Sequence, residues 1–446
     1  MLGDHLRQFG YVPEFVRLSD YLSMLAKVES TDEFERTNAL MNEGNSLRQQ
    51  TGSDDIVALA ALGAIAKRRQ VDPALGSRKP APRSALILHT LKHPEEARTL
   101  RRIYGPGFFL IGVHAPVERR KHYLMGVKGM TEEQAEKLIR RDEDEPANFG
   151  QKTRETFELS DLFLEEVGHE EELRRFVDLI FGHPYLTPTV DEHAMFLATA
   201  SSLRSGQLGR QVGAAISTER GDVLAVGCND VPRAGGGLYW PGAEDRRDHV
   251  LEYDSNERSR REIIDEVISK MTGSAEVGNR DELRSQLKAT KLWHITEYGR
   301  AVHAEMDALL TCARNGVSPV GATHIEPYPK SRAMELHFDS ITVDGQQGGD
   351  GPVDKIPFEP FIGIGPRRYL QLFSVSLGEG GNIVRKKDGI VVEWRREEAE
   401  PRVPMVPRSY LQQEQVGVNL FERKTARQRE EDSDASPTPD VDNSAA

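Results

Sequence analysis

The chain holds 446 residues, 29% of them charged and 38% hydrophobic, with a formal net charge of −13. That acidity opposes a chain-wide electrostatic grip on nucleic acid but leaves room for a small nucleotide as ligand. Two cysteines, Cys228 and Cys312, cannot build a disulfide framework, and with no signal-peptide core and no apolar run near ~18 residues the expectation is a cytoplasmic protein without a membrane partner.

Residues 1–22 read as a helix tail, a turn at Gly10 and a strand through Val16. Residues 31–52 predict a helix, with Thr31 as its cap and acidic residues in its first turn. Residues 54–70 predict another, apolar at Ile56, Leu59, Leu62 and Ile65, with basic residues at its end. The run from Ser84 starts as a strand, breaks at His93-Pro94 and continues as a helix. A continuous apolar run over 107–116 predicts a buried strand. Strands alternating with helices predict a parallel α/β sheet.

Residues 119–173 are charged and mostly helical, most clearly over 131–146. Pro184 and Pro188 mark a domain boundary. A helix capped by Thr189 or Asp191 follows. Residues 211–230 read as a hairpin turning through Gly221. Helices are expected over 255–272 and 280–312, and a last core strand over 361–375. Beyond residue 395 order is expected to fade, and 429–446 reads as a disordered acidic tail.

The chemistry lies in His303-Ala304-Glu305, at the start of a helix. A hydrolytic deaminase must make a nucleophile from water at neutral pH, and zinc does so by lowering the pKa of bound water. A nearby carboxylate takes the proton and later delivers it to the leaving amine. His303 would bind the metal, and Glu305 would stay unliganded as general acid and base. Taken alone, the triplet is the ordinary polar first turn of a helix. Its context matters: a strand ends at Asn229, and a loop with Gly235, Gly236 and Gly237 follows, where backbone can approach a ligand or simply turn.

Several runs carry a resemblance. They are FGHPYLTPTVDEHAMF (181–196), SLRSGQLGRQVGAAI (202–216), GCNDVPRAGGGLYW (227–240), EYGRAVHAEMDALL (297–310) and EPYPKSRAMELHFDSI (326–341), with NEGNSLR (42–48) and LKHPEE (91–96) nearer the start. Together they resemble the bacterial antiphage deoxycytidine-nucleotide deaminases, over roughly residues 10–420. The resemblance implies an α/β protein with a P-loop kinase-like parallel-sheet domain over 1–180 that lacks its P-loop. It implies a three-layer α/β/α deaminase domain over 185–395, interrupted near 323–326, and a C-terminal extension over 396–446. It further implies one zinc ion on His303, proton transfer by Glu305, a sugar contact from Asn229 and a phosphate contact from Lys330. The reaction would convert dCMP or dCTP to the uracil nucleotide and so deplete an infecting phage. The implied partner is a deoxycytidine nucleotide, in a protein that assembles as a homo-oligomer.

Two departures stand against this pattern. No Pro-Cys-x-x-Cys follows His303; Thr323 and Glu326 are separated only by His324 and Ile325. Nor is there a phosphate-cradling glycine loop, Met1 falling just after the point where one would lie. Cys312, nine positions beyond His303 on one helix, would sit ~13 Å along the axis and cannot share a zinc with it; it reads as a core thiol. Cys228, His303 and His324 could form an improvised three-ligand set, although Cys228 reads first as packing. Arg210 and Gln211 could meet a phosphate or close a helix end, and His337 reads as structural. Two further readings are therefore a catalytically silent nucleotide-binding relative and an incomplete gene model.

Overall fold

The computed structural model describes residues 1–20, 22, 32–71, 79–143, 145, 149–272, 280–288, 290–294, 298–325, 360–375, 383–402 and 409–434. The protein is mixed α/β with small sheets. It divides into two compact units, one made of Met1–Thr187 with Lys330–Ala446, the other of Pro188–Pro329. The described segments from residue 360 onward group with the first unit.

In chain order the first unit opens with α1 (Leu2–Gln8), β1 (Val12–Arg17), α2 (Glu33–Thr51), α3 (Ile56–Arg68), β2 (Ser84–His89), α4 (Pro94–Tyr104) and β3 (Ile111–His114). It continues through α5 (Val117–Gly126), α6 (Glu132–Glu143), α7 (Thr153–Glu158), β4 (Leu162–Glu165) and α8 (Glu170–Ile180). The second unit holds α9 (Val190–Ser202), β5 (Gly213–Ser217), β6 (Val223–Cys228), α10 (Asp248–Leu251), α11 (Ser255–Thr272), α12 (Arg280–Lys288), α13 (Ala304–Asn315) and β7 (Thr323–Ile325). The first unit resumes with β8 (Gly363–Ile364), α14 (Pro366–Phe373), β9 (Lys386–Lys387), β10 (Ile390–Val391) and α15 (Tyr410–Asp434).

Local chemistry sets many of these bounds. The α2 cap is Asp32, whose side chain accepts from the Glu35 N–H at 2.8 Å; Thr31, the expected cap, lies outside the described residues. The helix ends on Gly52, at φ +56°, where a side chain would be strained. At α4, Pro94 occupies the first position, and the Glu96 carboxylate accepts from the Lys92 N–H at 2.8 Å.

Among the described residues the parallel strands of the first unit form two separate sheets instead of one, besides the short antiparallel pair of β9 and β10. β1 pairs in parallel with β2, from Val12↔Ser84 to Arg17↔His89. β3 pairs in parallel with β4, and β8 joins the far side of β4 antiparallel. Among the described residues β2 has a strand neighbour on one side only, and Ala85 to Leu88 are only half-buried. Two expectations fail at the C-terminal end. The run over 361–375 is a two-residue strand followed by a helix, because Gly365 caps it and Pro366 starts it. After residue 395 the described residues include a long helix, α15 over Tyr410–Asp434, which packs on α3 where order was expected to fade; residues 435–446 of the acidic tail lie outside the described residues.

That packing explains why α3 is buried almost all round. Leu59, Leu62, Ile65, Tyr410 and Val418 share one cluster. A Cβ at Gly417 would come within 2.6 Å of Leu62 Cδ1, so glycine permits the helices to touch there. Beside it Glu414, fully buried, accepts from Arg69 Nε at 2.7 Å, Arg69 Nη2 at 2.6 Å and the Tyr104 hydroxyl at 2.7 Å. Burial and the Glu414 charge push the Tyr104 hydroxyl well above its ordinary range, which keeps it a donor.

Removing one partner of such a pair strands the other charge in a dry site. Glu414→Gln should lower unfolding stability by about 3–5 kcal/mol, read from urea denaturation. The exposed pair of Arg83 with Glu400 gives the contrast: Glu400→Gln should change stability by less than about 1 kcal/mol.

Candidate functional site

The second unit is organised around a three-stranded antiparallel sheet in the order β6-β5-β7. The expected hairpin is there, with Gly221 in its turn at φ +90°. Thr189 caps α9 as a reciprocal box, its hydroxyl accepting from the Glu192 N–H while the Glu192 carboxylate accepts from the Thr189 N–H. A Cβ at Gly213 would lie 1.9 Å from the Ala198 carbonyl of α9. A Cβ at Gly227 would lie 2.3 Å from the Ala304 carbonyl and 2.4 Å from the Ala308 nitrogen of α13. Gly227 pairs with Ala214, the residue after Gly213, so the two glycines point to opposite faces. Helices therefore cover both faces, α9 on one and α13 on the other.

The expected helix over 280–312 is in fact two helices. His303 has extended backbone, φ −69° and ψ 151°, and serves as the N-cap of α13 without a side-chain capping bond. Ala304, Ala308 and Cys312 recur along one side of α13 and pack against Ala214, Ile216 and Ala225. This confirms Cys312 as a core thiol.

His303 is exposed and Glu305 half-buried on the first helical turn. The Val302 N–H donates to the Asp230 carbonyl at 3.0 Å, so the helix start does lie beside the loop that leaves β6. Asn229 in that loop has its side chain engaged with backbone: Oδ1 accepts from the Val212 N–H at 2.6 Å, and Nδ2 donates to the Arg210 carbonyl at 2.6 Å. Gln211 likewise donates to the Ser205 carbonyl. Asn229 and Gln211 thus brace the 205–212 loop with these side-chain contacts. Lys330 and His337 lie outside the described residues.

The improvised ligand set does not assemble. Cys228 pairs with Gly213, so its side chain faces α9, away from α13. His324 pairs with Ile216, on the other edge of β5 and three residues along it; strand spacing and rise then put it roughly 14 Å from Cys228. Arg204 sets its Nη1 3.6 Å from the Cys228 sulfur and stacks on the Trp240 ring at 4.0 Å. A second cation on that sulfur would be repelled. Burial, only partly offset by Arg204, pushes the Cys228 thiol up, away from the thiolate a metal needs. Among the described residues no three His, Cys, Asp or Glu side chains come together to hold a metal ion. The described residues around His303 do not supply the ligand set of a catalytic zinc.

A cavity of about 440 Å³ opens elsewhere on α13. Pro232, Leu238, Val302 and Leu310 give it apolar walls, and Arg233, Asp307 and Arg314 give it charge. Gly236 and Gly237 line it at φ +110° and +73°, within a turn closed by Arg233 N–H to the Gly237 carbonyl at 2.8 Å. At 100° per residue, Asp307, Leu310 and Arg314 lie roughly 140–180° round the helix from Glu305. Glu305 thus lies across α13 from the cavity, whereas His303 falls on the cavity side, next to Val302 in its wall. Arg233 and Arg314 were missed in the sequence because nothing in their spacing links them, 81 positions apart with a helical segment between.

A buried ion network anchors the loop side of this region. Asp230, fully buried, accepts from the Gly206 N–H at 3.1 Å and from Arg247 Nη1 at 3.4 Å. Arg247 forks onto Asp245, with Nε 2.9 Å from Oδ1 and Nη2 2.6 Å from Oδ2. That fork holds the Asp245 carboxyl down at about 2. A carboxylate held below its unfolded value of about 3.9 adds stability that is complete above that pH and is lost as the pH falls towards its folded value. Asp245→Asn should therefore lower stability at neutral pH and flatten the stability loss between about pH 4 and pH 2, measured by denaturant titration across that range.

Comparison with protein-family models, with curated proteins and with solved structures finds no match in any of the three.

Proposed function

We propose that the second unit binds a deoxycytidine nucleotide in the cavity beside the glycine loop, and that this chain is a deaminase relative without a hydrolytic zinc centre. One observation carries the proposal: a cavity of about 440 Å³ that joins apolar walls to two guanidiniums. Ligand pockets for small molecules span ~300–1,000 Å³ and combine apolar surface with a few convergent polar groups. Arg233, now bonded to Glu244 at 2.6 Å, and Arg314, 3.6 Å from Asp307, would turn their forked donors to a phosphate. Leu238, Val302 and Leu310 offer a dry wall to the base. The Asp307 carboxylate accepts hydrogen bonds and would take the 4-amino group of cytosine, which uracil lacks.

The spacing of His303 and Glu305 at the start of α13 favours a second reading, deaminase activity with metal ligands from outside the described residues. Calorimetric titration with dCMP and dUMP, alongside an ammonia assay with added zinc, separates the two. The expected result is dCMP binding tighter than dUMP, weakened about tenfold by Arg233→Gln, with no ammonia released. Arg233 is exposed, so its substitution spares the fold. Ammonia release abolished by Glu305→Gln, with binding indifferent to Arg233→Gln, would replace this reading with the second.

A further inference from the structure

Arg233 lines the cavity of the second unit, yet its guanidinium is held from the rim. Nη2 lies 2.6 Å from Glu244 Oε2, and Glu244 is no part of the cavity wall. The Arg233 backbone is fixed in the glycine turn, its N–H on the Gly237 carbonyl at 2.8 Å and its carbonyl accepting from the Gly236 N–H at 3.1 Å.

The two loops that carry this pair share one anchor. Arg247 forks onto Asp245, the residue after Glu244, and its Nη1 lies 3.4 Å from Asp230, three residues before Arg233. Asp230, Asp245 and Arg247 are all buried. The Asp245 N–H also closes a turn onto the Gly242 carbonyl at 3.1 Å. The backbone on either side is therefore braced, while the ion pair itself stands in water, with Arg233 52% and Glu244 77% exposed. Among the described residues the Glu244 carboxylate has no second partner. Arg314 differs. Its neighbour Asp307, 3.6 Å away, is buried and accepts from the Cys228 N–H at 3.2 Å, which keeps that carboxylate in place.

We propose that Glu244 is an internal competitor for the ligand's phosphate, occupying Arg233 until a phosphate displaces it. The inference rests on the nucleotide-binding reading of this cavity. A carboxylate and a phosphate engage the same planar fork of a guanidinium, so Arg233 cannot serve both fully. A ligand that needs Arg233 released binds with an affinity reduced by the fraction of molecules in which it is released. An exposed pair of this kind sets that reduction at about twofold to fivefold. Release needs only rotation of the Glu244 side chain, because the loops around it are braced. A nucleoside without phosphate makes no demand on Arg233 and escapes the reduction. Glu244 thus narrows the preference of the cavity for a nucleotide over its nucleoside.

The test is calorimetric titration of the full chain with dCMP and with deoxycytidine, in the wild type, Glu244→Gln, Arg233→Gln and the double variant. Glu244→Gln should tighten dCMP binding about twofold to fivefold and leave deoxycytidine binding unchanged. In the Arg233→Gln background the same substitution should have no effect, because the competitor has lost its target. Glu244 is exposed, so the variant should keep the wild-type thermal midpoint. Equal dCMP affinity in wild type and Glu244→Gln, with Arg233→Gln still weakening it, overturns this proposal and leaves the cavity reading standing. A gain that persists in the double variant overturns it in favour of a general charge effect. Absence of dCMP binding from every variant overturns both.

Discussion

At Gly227 the backbone of α13 lies closer to β6 than any side chain would allow. Most of what the second unit can do follows from that approach. It holds Ala304, Ala308 and Cys312 against the sheet and so fixes the rotation of the helix. With that rotation set, His303 projects at the tip, Glu305 lies on one flank, and Asp307, Leu310 and Arg314 line a cavity on the other. Gly213 makes the same demand of α9 on the opposite face. Cys228 is thereby committed to that other face, under Arg204, and is lost to any partnership with His303. The two glycines are the means by which a small sheet carries a helix on each side without a thick side-chain layer between.

The first unit relies on a different device. Its parallel strands stand in two pieces, and the apolar strand β2 is only half-buried among the described residues. Much of its hydrophobic burial is instead concentrated on α3, wrapped by strand residues on one side and α15 on another. The buried Glu414 fixes the register of that contact. An apolar contact alone could slide by a turn, whereas a carboxylate held by Arg69 and Tyr104 has one position.

Elements with strong local signals were legible in the sequence. The hairpin around Gly221, the Thr189 cap and the break at His93-Pro94 each rest on chemistry confined to a few neighbours. Elements decided by distant packing were not. The apolar run over 361–375 suits a strand or a buried helix equally, and only Pro366 hints at the outcome. The helix expected over 280–312 is instead α12 to Lys288, a short 3-10 turn at Lys291–His294 and α13, which starts anew at His303 in extended backbone, and periodicity does not register these stops. The C-terminal segment looked polar because its apolar residues, among them Tyr410 and Val418, are sparse, yet each meets the α3 cluster. For the site, the spacing of His303 and Glu305 was visible, but the facing of Cys228 required the pairing register of β5 with β6. Arg233 and Arg314 meet at one cavity only through the fold.

The proposed reading is that the described residues set His303 and Glu305 at a helix start without further ligands that would retain a zinc ion. Metal analysis of the purified, exhaustively dialysed chain tests it most directly. The account predicts zinc far below one equivalent and a melting temperature unmoved by a chelator. One tightly held equivalent of zinc, lost on replacing His303 with alanine, would contradict it.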